Sequence, residues 1–316
     1  MDIIGILLWP IKYVIELILV AFHWLFTTIG LDPNAGITWV LAIVGLVLVV
    51  RAALIPIFVR QIKSQRKMLE VAPELKKIQE KYKGKRDQFS REAMSRETME
   101  LYRKAGTNPM SSCLPLLIQM PIFFGLFSVL SEAQKGHAGV GPMNLSLAES
   151  FANASLFGVA PLHASFQSAM EAKPQLVIVM VIAATMVILM TASQFITQLQ
   201  IVSKNMSEET KASPTFRQQR VLLYILPLVF AFSGFAFPIG VMFYWLVSNF
   251  WTMIQQFLVI RNMPTPGSQA AKAREERLAR RGKLVSKDVP TVVVEEKKPT
   301  QRQQPVGKNR AKKQGK

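Results

Sequence analysis

The sequence predicts an all-α polytopic membrane protein with five core transmembrane helices, an N-terminal interfacial helix and a cytoplasmic helical hairpin. Half of its 316 residues are hydrophobic, and the mean hydropathy is +0.25. These apolar residues are gathered into long blocks, and about 20 mostly apolar residues suffice to cross roughly 30 Å of hydrocarbon. The net charge of +18 is concentrated in the segments between the blocks. Both features argue against a soluble domain.

Five blocks have the length and composition of a transmembrane helix. The last two follow each other closely, and Phe237-Pro238-Ile239-Gly240 between them predicts a reversal of the chain, because proline and glycine together end a helix. The predicted spans are residues 37–58, 112–131, 175–199, 221–237 and 239–261.

The distribution of lysine and arginine predicts how these spans are oriented. Residues 59–111 carry 14 Lys and Arg against 7 Asp and Glu, residues 200–220 carry 4 against 2, and residues 261–316 carry 16 against 5. The segments 1–36 and 132–174 are poor in positive charge. By the positive-inside rule we expect a multi-pass plasma-membrane protein with its N-terminus outside and its C-terminus in the cytoplasm.

Residues 1–30 form an apolar run with two possible interpretations. Lys12, Glu16, His23 and Thr27 are separated by 4, 7 and 4 positions, which places them along one stripe of a helix. This pattern favours an amphipathic helix that lies in the outer membrane interface. The run is also long enough for a sixth span, so that alternative stays open.

Residues 59–111 predict a cytoplasmic helical hairpin. Two stretches carry apolar or small residues at a spacing of three and four, and two antiparallel helices would pack these stripes against each other. The predicted tip is basic and exposed, and it consists of Lys83, Gly84, Lys85 and Arg86. The alternative is a solvated linker whose charge only reflects its cytoplasmic location.

Arg51 is a charged residue inside the first predicted span. It lies seven positions before Phe58, or about 10 Å below the cytoplasmic boundary. None of the five spans contains an acidic residue. An arginine near the bilayer centre costs about 2.5–3.5 kcal/mol on insertion scales, so it is usually retained for a ligand or a water-filled cavity. Alternatively, its long side chain could reach the cytoplasm by snorkelling.

Polar residues in the other spans favour a hydrated pocket around Arg51. Each of them alone could be an ordinary hydrogen-bonding residue between helices. Together they predict a pocket that opens toward the cytoplasm, where Arg51 lies. The candidate lining residues besides Arg51 are Gln119, Gln194, Ser233, Trp245, Ser248 and Asn249.

The motifs around these residues resemble the YidC family of membrane protein insertases. The resemblance covers nearly all of residues 5–261. Its two long motifs, which are specific, are the run 113–123 (CLPLLIQMPIF), preceded by Asn108-Pro109, and the run 237–249 (FPIGVMFYWLVSN), continued by Ile254-Gln255-Gln256. Val50-Arg51-Ala52 with Pro56 is similar to the first core span of the family, and Leu8-Trp9-Pro10 to its interfacial helix.

The resemblance implies five spans around a groove that is open to the cytoplasm and to lipid and closed on the outer side. It matches Arg51 to the arginine of that groove, and Trp245 to a substrate-contacting aromatic residue that is tyrosine in many members. Val47 replaces a threonine common in the family, so this part of the groove wall is less polar. The large external domain of Gram-negative members is not found in the sequence, which resembles the Gram-positive-like form. The lipoprotein signal of many Gram-positive members is not found either, so the subgroup stays open.

The partners implied are nascent membrane proteins, which would be inserted and helped to fold with or without the Sec translocon. The tail 262–316 is basic and of disordered composition, and it suits ribosomal RNA phosphates or, equally, anionic lipid head groups.

Other classes of function fit less well. We find no phosphate-binding loop, nucleophile set or intramembrane acid pair, and with one cysteine and three scattered histidines we expect no enzyme, cofactor or metal. A transporter or channel would need a polar route to both sides, whereas the outer half of the first span is apolar apart from Thr38. A simple membrane anchor that binds RNA through its tail is the other alternative.

Overall fold

The computed structural model describes residues 3–85, 87–108, 114–208, 211, 225, 229, 232 and 234–282. The chain divides into two units, Met1–Glu276 and Arg277–Lys316. Within the second unit only residues 277–282 are described. Most of the predicted fourth span, the start of the second and the tail beyond residue 282 lie outside the described residues.

The described residues are mostly helical, with one short antiparallel β-hairpin in which Ser155 pairs with Pro161 and Leu156 with Ala160. The elements in chain order are α1 (Ile3–Thr28), α2 (Gly36–Glu70), α3 (Ala72–Lys81), α4 (Gln88–Lys104), α5 (Leu114–Gln134), α6 (Leu145–Asn153), β1 (Ser155–Leu156), β2 (Ala160–Pro161), α7 (Phe166–Glu171), α8 (Val177–Lys204), α9 (Ile239–Asn262) and α10 (Gln269–Arg280).

Helices α1, α2, α5 and α8 contain segments that are long and apolar enough to cross a membrane. These segments are Gly5–Thr28, Gly36–Met68, Leu117–Gln134 and Val177–Lys204. Helix α9, the predicted fifth span, has 24 residues, but Ser248, Asn249 and Gln255 lower its hydropathy. The described part of the chain is therefore that of an all-α, multi-pass membrane protein.

Helix α1 packs Glu16 and His23 against the protein together with Ile15 and Leu19, and several other large apolar residues lie on its outward face. Glu16 is 1% exposed and His23 is 4% exposed. His23 Nε2 lies 2.9 Å from the carbonyl oxygen of Pro33, and its ring stacks on Trp39 with the centroids 4.0 Å apart. The outward face carries Ile6, Leu7, Trp9, Val14, Leu17, Trp24 and Leu25. The middle of the predicted polar stripe, Glu16 and His23, is thus part of a packing face.

Helix α2 is one continuous helix of 35 residues, although Pro56 lies inside it. It extends past Phe58 to Glu70, so about 18 Å of helix follows the last apolar residue of the predicted first span. Ser64 Oγ lies 3.0 Å from Thr107 Oγ1, which ties this extension to the chain just after α4. One continuous helix therefore contains both the first predicted span and the base of the hairpin.

The core lies where α1, α2, α5, α8 and α9 pack together. Close packing and interhelical hydrogen bonds hold such helices in lipid, because the surrounding hydrocarbon is itself apolar. A Cβ atom added to Gly45 of α2 would lie 2.5 Å from the Phe22 ring of α1, so only glycine allows this approach. The largest fully buried side chains include Trp39, Ile43, Leu46, Leu126 and Leu130.

The segment between α5 and α8, residues 135–176, forms a compact cap on the ends of α2 and α9. Ile239 N donates to Ala164 O and Gly240 N to Leu162 O, both at 2.9 Å, so the cap satisfies two of the amides that a helix start leaves unpaired. A Cβ atom at Gly36 would lie 2.5 Å from the Ser155 backbone, which explains the glycine at the start of α2.

Helices α3 and α4 form a hairpin whose two arms are joined by Glu97. The Glu97 carboxylate pairs with Lys81 Nζ and accepts a hydrogen bond from Tyr82 Oη at 2.9 Å. Lys81 and Lys85 lie 5.1 and 5.4 Å from the centroid of the Tyr82 ring, within the range of a cation–π contact. Asp87 caps the start of α4 by accepting from Ser90 N.

Acidification is expected to loosen the α3–α4 hairpin. The side-chain hydrogen bond from Lys81 lowers the pKa of Glu97 below its usual range. A lowered folded-state pKa gives stability that is present above the unfolded value of about 4.3 and is lost as the pH falls through the folded value. Spin labels at positions 77 and 96, in a Cys113→Ser chain, should show a broader distance distribution at pH 3 than at pH 7.

Glu97→Gln is the matched variant for this measurement, since it removes the charge and nearly keeps the shape. Its hairpin should be looser already at pH 7 and respond less to pH. The residual response should come from Asp87, whose pKa is lowered chiefly by the Ser90 backbone N–H. Identical distance distributions for both chains at both pH values would contradict a role for the Lys81–Glu97 pair.

Candidate functional site

Arg51 lies in the middle of α2 and is half-buried. About 22 Å of helix separates it from Gly36, where α2 begins. Among the residues that the structure describes, no carboxylate forms a salt bridge with it. The Tyr244 phenol of α9 lies within electrostatic range of the guanidinium. Among the described residues, Arg51 therefore has an electrostatic interaction with Tyr244 and forms no salt bridge with an acid.

Tyr244 joins this arginine to a third helix. It is 3% exposed, and Gln119 Nε2 of α5 donates to its Oη at 3.0 Å. A buried phenol usually has a hydrogen-bond partner, and here the partner is a side-chain amide on another helix. The structure thus brings Arg51, Gln119 and Tyr244 together from α2, α5 and α9.

The Gln119–Tyr244 pair should give a measurable coupling energy. Hydrogen bonds between membrane helices are worth about 0.6 kcal/mol on average and up to about 1.7. Tyr244→Phe should lower the thermal midpoint in detergent, because it leaves the Gln119 amide without an acceptor. Adding Gln119→Leu to the Tyr244→Phe chain should then lower the thermal midpoint by less than Gln119→Leu does in the wild type. Strictly additive midpoint shifts would show that the two side chains do not interact.

Trp245 belongs to a separate aromatic cluster. Its ring stacks on Phe123 of α5 with the centroids 5.3 Å apart and meets Phe237 edge-on at 5.1 Å. Phe127 contacts Phe237 in turn, with the centroids 5.9 Å apart. Successive helical residues point about 100° apart, so Trp245 and Tyr244 occupy neighbouring faces of α9. The cluster borders the Arg51 neighbourhood through α9 and α5.

Ser248 and Asn249 carry buried polar atoms that lack partners among the described residues. The atoms are Ser248 Oγ and Asn249 Nδ2, and Ser248 is only 2% exposed. Ser248 lies one turn after Tyr244 and hence on the same face of α9. A buried polar atom without a hydrogen bond costs about 1–3 kcal/mol, so this face of α9 is suited to water or to a polar ligand.

The remaining candidate residues are more dispersed. Gln194 is half-buried on α8, while its neighbours Ser193 and Thr197 donate to carbonyls of their own helix, both at 2.8 Å. Ser233 and Arg86 lie outside the described residues. Lys83, Gly84 and Lys85 are exposed at the hairpin tip, and Gly84 has a φ of 84°, which glycine adopts without strain.

The arrangement can bind and orient a polar group. Within the described ranges no group of three His, Cys, Asp or Glu side chains could hold a metal ion. Arg51 supplies positive charge, Gln119 and Tyr244 supply hydrogen bonds, and Ser248 and Asn249 supply further polar atoms.

Known proteins provide the decisive comparison. A family model described as 60Kd inner membrane protein matches residues 30–266. The chain is also 46% identical over 315 residues to a protein of Tropheryma whipplei (strain Twist) named membrane protein insertase YidC, with 98% of this chain and 97% of the relative covered. The chain belongs to the YidC family. The resemblance inferred from the Arg51, Gln119 and Trp245 motifs is thereby confirmed.

Other YidC relatives are somewhat more distant. The chain is 44% identical over 282 residues to the YidC of Streptomyces avermitilis, covering 88% of this chain and 64% of that one. It is 33% identical over 272 residues to the YidC of Mycobacterium tuberculosis (strain ATCC 25618 / H37Rv), covering 79% and 71%. Both relatives are named membrane protein insertases. YidC proteins are not catalytic enzymes, which confirms that prediction for this chain.

The roles of two residues of this YidC-family chain were not predicted from the sequence. Tyr244 sits beside Trp245 in a recognised motif, and the signal that could have found it is a phenol in the middle of an apolar helix. Glu16 had been placed on the polar stripe of α1, but its role comes from backbone amides of a distant segment, for which the sequence carries no pattern.

Proposed function

We propose that this protein inserts nascent membrane proteins and helps them fold, using a hydrated groove lined by Arg51, Gln119, Gln194, Ser233, Tyr244, Trp245, Ser248 and Asn249. The observation that carries the proposal is the position of Arg51. It is a half-buried charge in the middle of an apolar helix, next to Tyr244 and without an acidic partner in the described part of the chain. Such a charge is suited to a partner that arrives with the substrate.

In the proposed arrangement five spans surround the groove. They are the membrane parts of α2, α5, α8 and α9 together with the fourth predicted span. Helix α1 packs beside them in the outer interface in this proposal, although it is long and apolar enough to cross a membrane. The N-terminus is outside and the C-terminus is cytoplasmic, as the distribution of lysine and arginine favours. The cap formed by residues 135–176 packs on the ends of α2 and α9, which suits closure of the groove on the outer side.

The proposed mechanism requires no chemical energy source. The substrate carries a short polar or acidic tail that must cross the bilayer. Water in the groove shortens the stretch of hydrocarbon that this tail has to cross. Arg51 attracts the negative charge of this tail, and the attraction is stronger than in bulk water because the surrounding dielectric is lower. The apolar segment of the substrate then moves into lipid along the open side of the groove, where burial in hydrocarbon stabilises it.

The proposed partners follow from the basic surfaces of the cytoplasmic side. The exposed tip residues Lys83 and Lys85, and the tail 262–316, are suited to ribosomal RNA phosphates or to anionic lipids. Insertion with or without the Sec translocon is part of the proposal. Loss of tail residues 283–316 should weaken ribosome or lipid binding in a salt-dependent manner while part of the insertion activity remains.

Insertion into liposomes that contain only this protein tests the proposed function. A single-span substrate with a short acidic tail should reach a protease-protected position faster than in empty liposomes. Equal insertion into both kinds of liposome would refute an autonomous insertase. The same vesicles should not leak a small ion, because the proposed groove is closed on the outer side; steady leakage would favour a channel instead.

A further inference from the structure

The turn between β1 and β2 holds a large apolar side chain in an unfavourable backbone conformation. Phe157 has a φ of 53° and Gly158 has a φ of 74°, and Val159 N donates to Leu156 O at 3.1 Å. Positive φ at both central residues is typical of a type I′ turn, in which Asn-Gly is favoured. A phenylalanine with positive φ is an outlier, because its Cβ crowds the backbone.

The same phenylalanine contributes little to the packing of the cap. Phe157 is 79% exposed, and Val159 beside it is 47% exposed. The two residues at the base of the turn are buried instead: Leu156 is 6% exposed and Ala160 is fully buried. A rigid, buried base therefore presents two apolar side chains outward. Backbone strain at an exposed position points to contact with a partner, because the side chain does not stabilise the fold itself.

The base also fixes the level of this turn relative to the membrane. Ser155 forms a β-bridge with Ala35, and its backbone lies directly against Gly36, the first residue of α2. The apolar part of α2 that starts there and ends at Phe58 spans about 30 Å, so Gly36 lies close to the hydrocarbon boundary. Phe157 is two residues from Ser155 and hence within about 7 Å of this boundary.

The composition of the surrounding segment fits a lipid partner. Residues 150–170 contain no Asp, Glu, Lys or Arg. Charged side chains are disfavoured where a surface enters the membrane interface, whereas aromatic residues are enriched there. The adjoining end of α1 continues the same apolar character, with Trp24 65% exposed and Ile29 66% exposed.

We propose that the Phe157–Val159 turn is a lipid anchor that inserts into the interface of the membrane at the end of α2 where the cap lies. The partner is the lipid surface itself, at the level of the glycerol and upper acyl groups. The anchor would hold the cap at a fixed depth over the ends of α2 and α9. It rests on the membrane placement of α2 and does not depend on the proposed groove.

A single-cysteine label tests the anchor directly, because Cys113 is the chain's only cysteine. In Cys113→Ser chains reconstituted in liposomes, an environment-sensitive fluorophore at Phe157→Cys should emit as in an apolar medium. Lipids brominated high on the acyl chain should quench it at least twofold more than lipids brominated near the chain end. Ile188→Cys, on the exposed face of α8, serves as the lipid reference, and Ser95→Cys, exposed on α4, as the aqueous reference.

Each other result would overturn the proposal. Water-like emission without quenching at position 157 would mean that the turn is in solution. Apolar emission without bromine quenching, or emission that changes with the protein-to-lipid ratio, would mean that a second copy of the chain covers it. Phe157→Asn suits the turn and should raise or preserve the thermal midpoint in detergent; a lower midpoint would show that Phe157 is a packing residue.

Discussion

Glu16→Ala is expected to lower the free energy of unfolding by about 2–6 kcal/mol, because it removes a buried carboxylate that accepts hydrogen bonds from two partly buried backbone amides. The Glu16 carboxylate is 1% exposed and accepts from Val140 N at 2.9 Å and from Gly141 N at 2.7 Å. It connects α1 to the cap across 124 positions of sequence. The thermal midpoint in detergent and the protease resistance of residues 135–176 should both fall.

Two further variants show whether the carboxylate itself is responsible. Glu16→Gln keeps one acceptor oxygen but turns an NH2 group toward the second amide. Its thermal midpoint should therefore lie between those of the wild type and Glu16→Ala. Glu149→Ala removes an exposed carboxylate from the same cap and should leave the midpoint nearly unchanged. If Glu149→Ala lowered the thermal midpoint as much as Glu16→Ala does, the two hydrogen bonds of the Glu16 carboxylate would not explain the effect.

Arg51→Ala is expected to slow insertion of a substrate with an acidic tail about tenfold or more. The reason is that a hydrogen bond to a charged group is worth about 1.5–3 kcal/mol, and about 1.4 kcal/mol changes a rate tenfold. Insertion of the same substrate with a neutral tail should change much less. Arg51→Lys should keep much of the rate if charge alone matters, and little if the planar guanidinium is required. Initial rates of protease protection in liposomes give the comparison.

The thermal midpoint separates this role from a structural one. Removing a charge without a described acidic partner from an apolar helix should leave the midpoint unchanged or raise it, since such a charge is costly in the membrane. Arg60→Ala is the matched control, because Arg60 is exposed on the same helix beyond Phe58. Equal slowing for acidic and neutral tails, or an equal effect of Arg60→Ala, would argue against recognition of the tail by Arg51.

The sequence revealed those features that depend on local composition. The blocks of apolar residues predicted an all-α membrane protein, and Arg51 was visible because it interrupts one of them. The motif that contains Gln119 led to the correct family. Each of these signals lies within about 20 consecutive residues, where hydropathy and spacing are directly readable.

Other features depend on contacts between distant segments. Gln119 and Tyr244 are 125 positions apart, so their hydrogen bond has no local signal. Glu16 and His23 were predicted to form a polar stripe, but hydropathy does not distinguish a stripe that faces water from one that faces the protein. The amides that hold Glu16 belong to the backbone at Val140 and Gly141, and backbone groups are the same in every sequence.

The continuity of α2 has a mechanical consequence. The helix runs without interruption from Arg51 to Glu70, over about 28 Å, and α3 begins at Ala72. A helix is stiff along its axis, so a tilt imposed on the α3–α4 hairpin acts as a lever on the turn that carries Arg51. Pro56 removes one backbone hydrogen bond within this lever, and bending is therefore concentrated there. A change in the orientation of the α3–α4 hairpin can thus reach the turn of α2 that carries Arg51 as a change of angle.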